Sequence, residues 1–110
     1  MLTKKDLIAI NQRFSNGNIV NNSSLDFILA QTHRSRDWYK TMCLLVRSII
    51  LDQIFEDGNK RTATAIIMTY FDIHGHSYND DRVIQVVLRI TKHNIKEINK
   101  IERLLNYATK

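Results

Sequence analysis

Two acidic side chains, a glycine, an asparagine and two cations run together at Glu56-Asp57-Gly58-Asn59-Lys60-Arg61, between the two most apolar stretches of the chain. Gly58 marks a turn and Asn59 the start of a helix. The first turn of a helix exposes unpaired N–H groups and a partial positive charge, which suits an anion. Lys60 and Arg61 there oppose the macrodipole, which favours acids at that end. The arrangement is that of a phosphate held between two cations, with Asp57 placed to hold a magnesium ion bridging phosphate oxygens. A plainer alternative stays open on physics alone: Asp57 caps the helix, Gly58 makes the turn, and Lys60 and Arg61 are solvated. The spaced glycines and Lys-Ser/Thr ending of a Walker A loop are absent.

The elements that must position this junction are helices. The chain has 110 residues, no proline, only three glycines, 44% apolar and 25% charged residues, the balance of one globular domain spanning 1–110. Thr3 with Asp6 resembles a capping box, and Leu7, Ile8, Ile10 and Phe14 give an apolar face, which predicts a helix from about Lys4 to Ser15. Asn16-Gly17-Asn18 stops it, and the Asn- and Ser-rich stretch that follows is irregular. Ser24 is the expected cap of a second helix and Asp37 of a third. The third, running to about Phe55, is apolar nearly all round, as a buried bundle centre should be. A fourth begins near Asn59 and ends at Gly75. A fifth starts at Asn79 or Asp80. Asn94 with Glu97 repeats the capping-box pattern and opens a sixth, with Ile95, Ile98, Ile101 and Leu105. An all-α bundle of about six helices around one core is the expected fold.

Composition narrows the function classes. No apolar run approaches the roughly 20 residues that span a bilayer. The start turns polar before a signal-peptide core could form, and a lone Cys43 fits a reducing compartment, so a cytoplasmic location is expected. The net charge of +5 is scattered, with one cluster at His33-Arg34-Ser35-Arg36, and no basic strip is interleaved with aromatics. Nucleic-acid binding is therefore disfavoured. His74-Gly75-His76 reads as a turn rather than a zinc site, Asp80-Asp81 as a dipole-stabilised helix start, and Cys43 and Trp38 as core. His33 and Arg36 read as surface charges.

Residues 53–63, Gln-Ile-Phe-Glu-Asp-Gly-Asn-Lys-Arg-Thr-Ala, resemble the signature of Fic/Doc proteins, His-x-Phe-x-Asp/Glu-Gly/Ala-Asn-Gly/Lys-Arg. Lys60, where AMP-transferring members carry a second glycine, and Thr64, where they usually carry arginine, resemble the death-on-curing (Doc) branch. The order and spacing of the apolar helices extend the likeness over roughly Leu7 to Leu105. The resemblance implies that the motif loop binds ATP. Asp57 would organise magnesium, Gly58 would let the backbone approach the phosphates, and Asn59, Lys60 and Arg61 would grip them. Phe55 would anchor the loop. Residues 18–24 would form the family's flap, an edge that a target segment can join as a strand. The implied activity is transfer of the terminal phosphate to a hydroxyl of the elongation factor that delivers aminoacyl-tRNA. The implied partner is an antitoxin supplied in trans, since the chain has no self-inhibitory Ser/Thr-x-x-x-Glu-Gly/Asn segment.

Position 53 departs from the pattern. The family has its general-base histidine there; this chain has Gln53, whose amide can hold a hydroxyl but cannot take its proton. Three explanations stand. The chain is a natural pseudoenzyme that keeps its nucleotide pocket; or the glutamine was introduced or selected because the active protein kills its host; or Asp52 or Glu56 serves as substitute base. AMP transfer, a catalytically dead nucleotide-binding regulatory module and a small DNA-binding protein are the rival functions.

Overall fold

A computed structural model describes residues 2–109. Six helices follow in order: α1 (Lys4–Asn11), α2 (Asn22–His33), α3 (Trp38–Leu51), α4 (Asn59–Ile73), α5 (Asp80–His93) and α6 (Ile98–Ala108). The fold is the expected all-α bundle. α3 is its centre, packing against α2, α4, α5 and α6, while α1 packs on α4. Met42, Cys43, Leu45, Val46, Ile49 and Ile50 of α3 are buried against Ile66, Ile67 and Phe71 of α4, with Val83, Val87, Ile90, Ile101 and Leu105 closing the core. Each such side chain contributes on the order of 1.5–3 kcal/mol by leaving water. No helix among the described residues is long and apolar enough to cross a membrane.

Local chemistry sets most helix starts. The Thr3 hydroxyl accepts from the Asp6 N–H and the Asp6 carboxylate accepts from the Thr3 N–H, so the predicted capping box closes. Asp37 accepts from the N–H groups of Tyr39 and Lys40, and Asn79 from that of Arg82. Asp80 and Asp81 occupy the first turn of α5, as the dipole favours.

Four boundaries differ from the sequence reading. α1 stops at Asn11 rather than Ser15, and the chain turns through Arg13 to Ser15, where the Arg13 and Phe14 N–H groups bond three residues back, to the Ile10 and Asn11 carbonyls, and tighten the last turn. α2 begins before Ser24: Asn21 is its cap, so residues 22–24 belong to its first turn and the extended flap shortens to 18–21. α3 ends at Leu51, since Ile54 and Phe55 leave the helix to pair with that flap. The Asn94–Glu97 box does not form. Asn94 instead takes a left-handed conformation (φ 50°) that ends α5, and Glu97 starts α6 with no side-chain cap.

Candidate functional site

The junction between α3 and α4 is a short loop tied by hydrogen bonds to the chain on either side of it, centred on Ile54, Phe55 and Asp57. Gln53 leaves α3 with a left-handed backbone, φ 48°. Such a conformation strains most side chains and is met more often in Asn, Asp and His than in Gln. Ile54 and Phe55 then turn fully inward, 0% and 1% exposed. Their backbone pairs antiparallel with the flap: the Val20 N–H donates to the Ile54 carbonyl and the Glu56 N–H to the Asn18 carbonyl, both at 2.9 Å. The Asn59 amide clasps Phe55 from the other side, accepting from its N–H at 3.0 Å and donating to its carbonyl at 2.8 Å.

Gly58 closes the loop for a steric reason. Its φ of 74° is the region glycine adopts freely, and a Cβ there would lie 3.3 Å from Asn11 Nδ2. As N-cap it offers α4 no side chain, and the first turn holds Lys60 and Arg61 with no acid. The N–H groups of Asn59, Lys60 and Arg61 therefore keep the unneutralised positive end of the helix. The capping role considered for Asp57 is not what the structure shows. Its carbonyl accepts from Asn11 Nδ2 at 2.9 Å, and its carboxylate stands exposed at the cleft.

Gln53, Asp57, Gly58, Asn59, Lys60 and Arg61 line one open cleft of about 540 Å³, with Glu56 beside them and Phe14, Ile50 and Thr91 completing its walls. The residues expected to carry catalysis, phosphate and metal binding (Gln53, Asp57, Gly58, Asn59, Lys60 and Arg61) thus line one cavity. Glu56 is held by Asn16, whose amide donates to its carboxylate at 2.7 Å. Asp52 does not face this cleft; it lines a separate one between α2 and α3 with Ser23 and Ser24. Of the two substitute bases considered, only Glu56 shares the cavity with Gln53.

A larger groove of about 820 Å³ adjoins the cleft between α4 and α5, sharing Phe14, Lys60 and Arg61 with it. Its floor is apolar, with Met68 and the exposed Ile84 and Leu88, and Arg13 stands at the same end as the two cations.

Magnesium fits this donor set in one respect. No group of three or more His, Cys, Asp or Glu side chains among the described residues could ligate a metal by themselves. Magnesium requires none, since it keeps waters and takes one or two carboxylates plus phosphate oxygens. Asp57 would be the carboxylate offered to such an ion, and Lys60 and Arg61 line the same cleft as the cations that would face a phosphate.

The remaining candidates stay apart from the cleft. His74 stacks on Trp38, ring centroids 3.9 Å apart, so the histidine turn is a packing feature. Trp38 is only partly buried. Cys43 is fully buried, and desolvation pushes its thiol up to about 12, which leaves it inert near neutrality.

Sequence reasoning missed Asn11, Asn16 and Asn21, which hold the loop from a distance. Asn21 Nδ2 donates to the Asp52 carbonyl at 2.9 Å. A signal for Asn11 was present: it follows Leu7 by four residues and precedes Phe14 by three, a polar residue on the apolar face of its helix. Comparison with protein-family models, curated proteins and solved structures found no match to this chain.

Proposed function

We propose that this chain is a Doc-type toxin: a Fic/Doc-like transferase that binds ATP at the 53–63 loop and passes its terminal phosphate to a protein hydroxyl, with proton removal impaired by Gln53. By resemblance the target is a translation elongation factor. The observation that carries this reading is the meeting of Asp57, Lys60 and Arg61 at an uncapped, acid-free helix start inside one cleft.

Phosphoryl transfer needs little covalent chemistry from the protein; positioning and charge stabilisation do most of the work. Lys60, Arg61 and the first N–H groups of α4 hold the phosphates and stabilise charge as it develops. Asn59 keeps the loop in shape through Phe55. Asp57 would hold magnesium, which when bound neutralises phosphate charge. Gln53 faces the same cleft and can orient the attacking hydroxyl without deprotonating it. Its left-handed backbone is one that histidine tolerates better than glutamine, so Gln53→His should be accepted by the fold. The apolar groove between α4 and α5, with Arg13, Lys60 and Arg61 at one end, suits an amphipathic helix carrying acidic residues, the form an antitoxin supplied in trans would take.

A catalytically dead nucleotide-binding module is the second reading, favoured by Gln53 itself. AMP transfer is the nearest enzymatic rival, and Lys60 weighs against it by placing a long cationic side chain where AMP-transferring members have glycine. Label transfer from ATP into extract proteins, comparing this chain with Gln53→His, separates the three. Terminal label on one band, raised on the order of 10²–10⁴-fold by Gln53→His, is the expected result. Innermost label would make it an AMP transferase. Binding of ATP without transfer by either version would leave the regulatory module.

A further inference from the structure

We propose that Asn11 is a positioning residue that clamps the phosphate-side turn to the base of the flap, so that a ligand in the cleft and order in the flap are coupled. The coupling to a ligand rests on the nucleotide-binding reading above; the clamp rests on geometry alone.

Asn11 is the last residue of α1 and fully buried. Its amide meets three separate parts of the site. Nδ2 donates to the Asp57 carbonyl at 2.9 Å and to the Thr62 hydroxyl at 3.0 Å, and Oδ1 accepts from the Gly17 N–H at 2.9 Å. These partners belong to the turn before α4, to the first turn of α4, and to the residue before the flap. No other side chain joins those three places among the described residues. Both Nδ2 hydrogens are engaged, which fixes which way the amide points, and Oδ1 is left facing Gly17. The Gly58 backbone passes so close that a Cβ would lie 3.3 Å from the same Nδ2.

The flap's first residues have other ties besides the one through Gly17. Asn18 N–H is held by the Asn16 side chain, and Asn18 and Val20 reach the loop at Glu56 and Ile54. A shift of the 57–62 turn would move Nδ2, rotate the amide and release Gly17. Buried amides punish such a movement, because a donor or acceptor deprived of its partner out of water costs about 1–3 kcal/mol. Ligand binding that stiffens the turn should accordingly stiffen the flap base.

Thr62→Val tests this without touching Gly17. Thr62 is fully buried and valine has nearly its shape, so the variant removes the hydroxyl that accepts from Nδ2 and little else. Amide exchange at Gly17, followed by NMR on the full chain, should accelerate about tenfold in Thr62→Val, while Thr62→Ser, which keeps the hydroxyl, should restore the parent rate. Exchange at Ile90 and Ile101, remote from the clamp, separates this local effect from general destabilisation. Adding Mg-ATP to the parent should slow Gly17 exchange, and Thr62→Val should weaken that protection at saturating ligand. Equal Gly17 exchange in Thr62→Val and parent, relative to Ile90 and Ile101, would overturn the clamp even if Mg-ATP binds. Absence of Mg-ATP binding to the parent would instead overturn the nucleotide reading and the coupling to a ligand, with the Thr62 pair still deciding the clamp.

Discussion

The loop between α3 and α4 and the loop between α5 and α6 begin alike and are held in opposite ways. Each opens on a non-glycine residue in the left-handed region, Gln53 at φ 48° and Asn94 at φ 50°. At Asn94 the conformation is a helix cap: its own N–H and that of Ile95 return to the Ile90 carbonyl, and asparagine suits the geometry. Among the described residues one remote hydrogen bond reaches that loop, from the guanidinium of the half-buried Arg47 to the Lys96 carbonyl. At Gln53 the residue type is a poor match, and the loop is fastened by the flap and by Asn11, Asn16 and Asn21 from far along the chain. Strain of this kind persists only where surrounding structure over-determines it, and it gathers at sites that must present groups in a set arrangement. The same backbone conformation is a local solution in one loop and an imposed one in the other.

Removing the clasp should separate the two loops most sharply. Asn59→Ala strips the Phe55 N–H and carbonyl of their partners and is expected to lower stability by about 2–3 kcal/mol in urea unfolding, whereas Glu97→Ala, at a start with no side-chain cap, should change it by under about 0.5 kcal/mol. Equal losses would mean that the α3–α4 loop is not specially fastened.

A glycine at each left-handed position gives a smaller, signed difference. Gln53→Gly should raise stability by about 1 kcal/mol through relief of strain, while Asn94→Gly should stay within about 0.3 kcal/mol of the parent. A gain at 94 matching that at 53 would erase the contrast between cap and strained turn.

The smallest effect is expected with pH. Hydrogen bonds from the Thr3 N–H and hydroxyl hold the Asp6 carboxyl below the usual carboxylate range. A depressed folded value adds stability that is present above the ordinary carboxylate range and lost as pH falls through the lower, folded one. Because α1 carries Asn11, acidification below about pH 4 should loosen Gly17 before it loosens Ile95, as read by amide exchange. Simultaneous loosening would show that α1 supports both loops alike.

Much of this protein could be read along the chain because the deciding physics acts within a few residues. Thr3, Asp37 and Asn79 reach N–H groups two or three positions on, and the apolar spacing of α3 marks it for the centre. Gln53 and the residues from Glu56 to Arg61 meet in one cleft because they lie close together in sequence, where one helix gives way to the next. The supports of that cleft could not be read in the same way. An asparagine amide binds backbone as readily as side chain, so nothing near Asn11 in the sequence names Asp57, 46 positions away, as its partner. Asn94 had two local choices, ending one helix or capping the next. Packing chose the first, since closing α5 at Asn94 carries Ile95 into the core. Short-range hydrogen bonding set the helices and their order; burial, which depends on segments far apart in the chain, set where they stop and which polar groups hold the site.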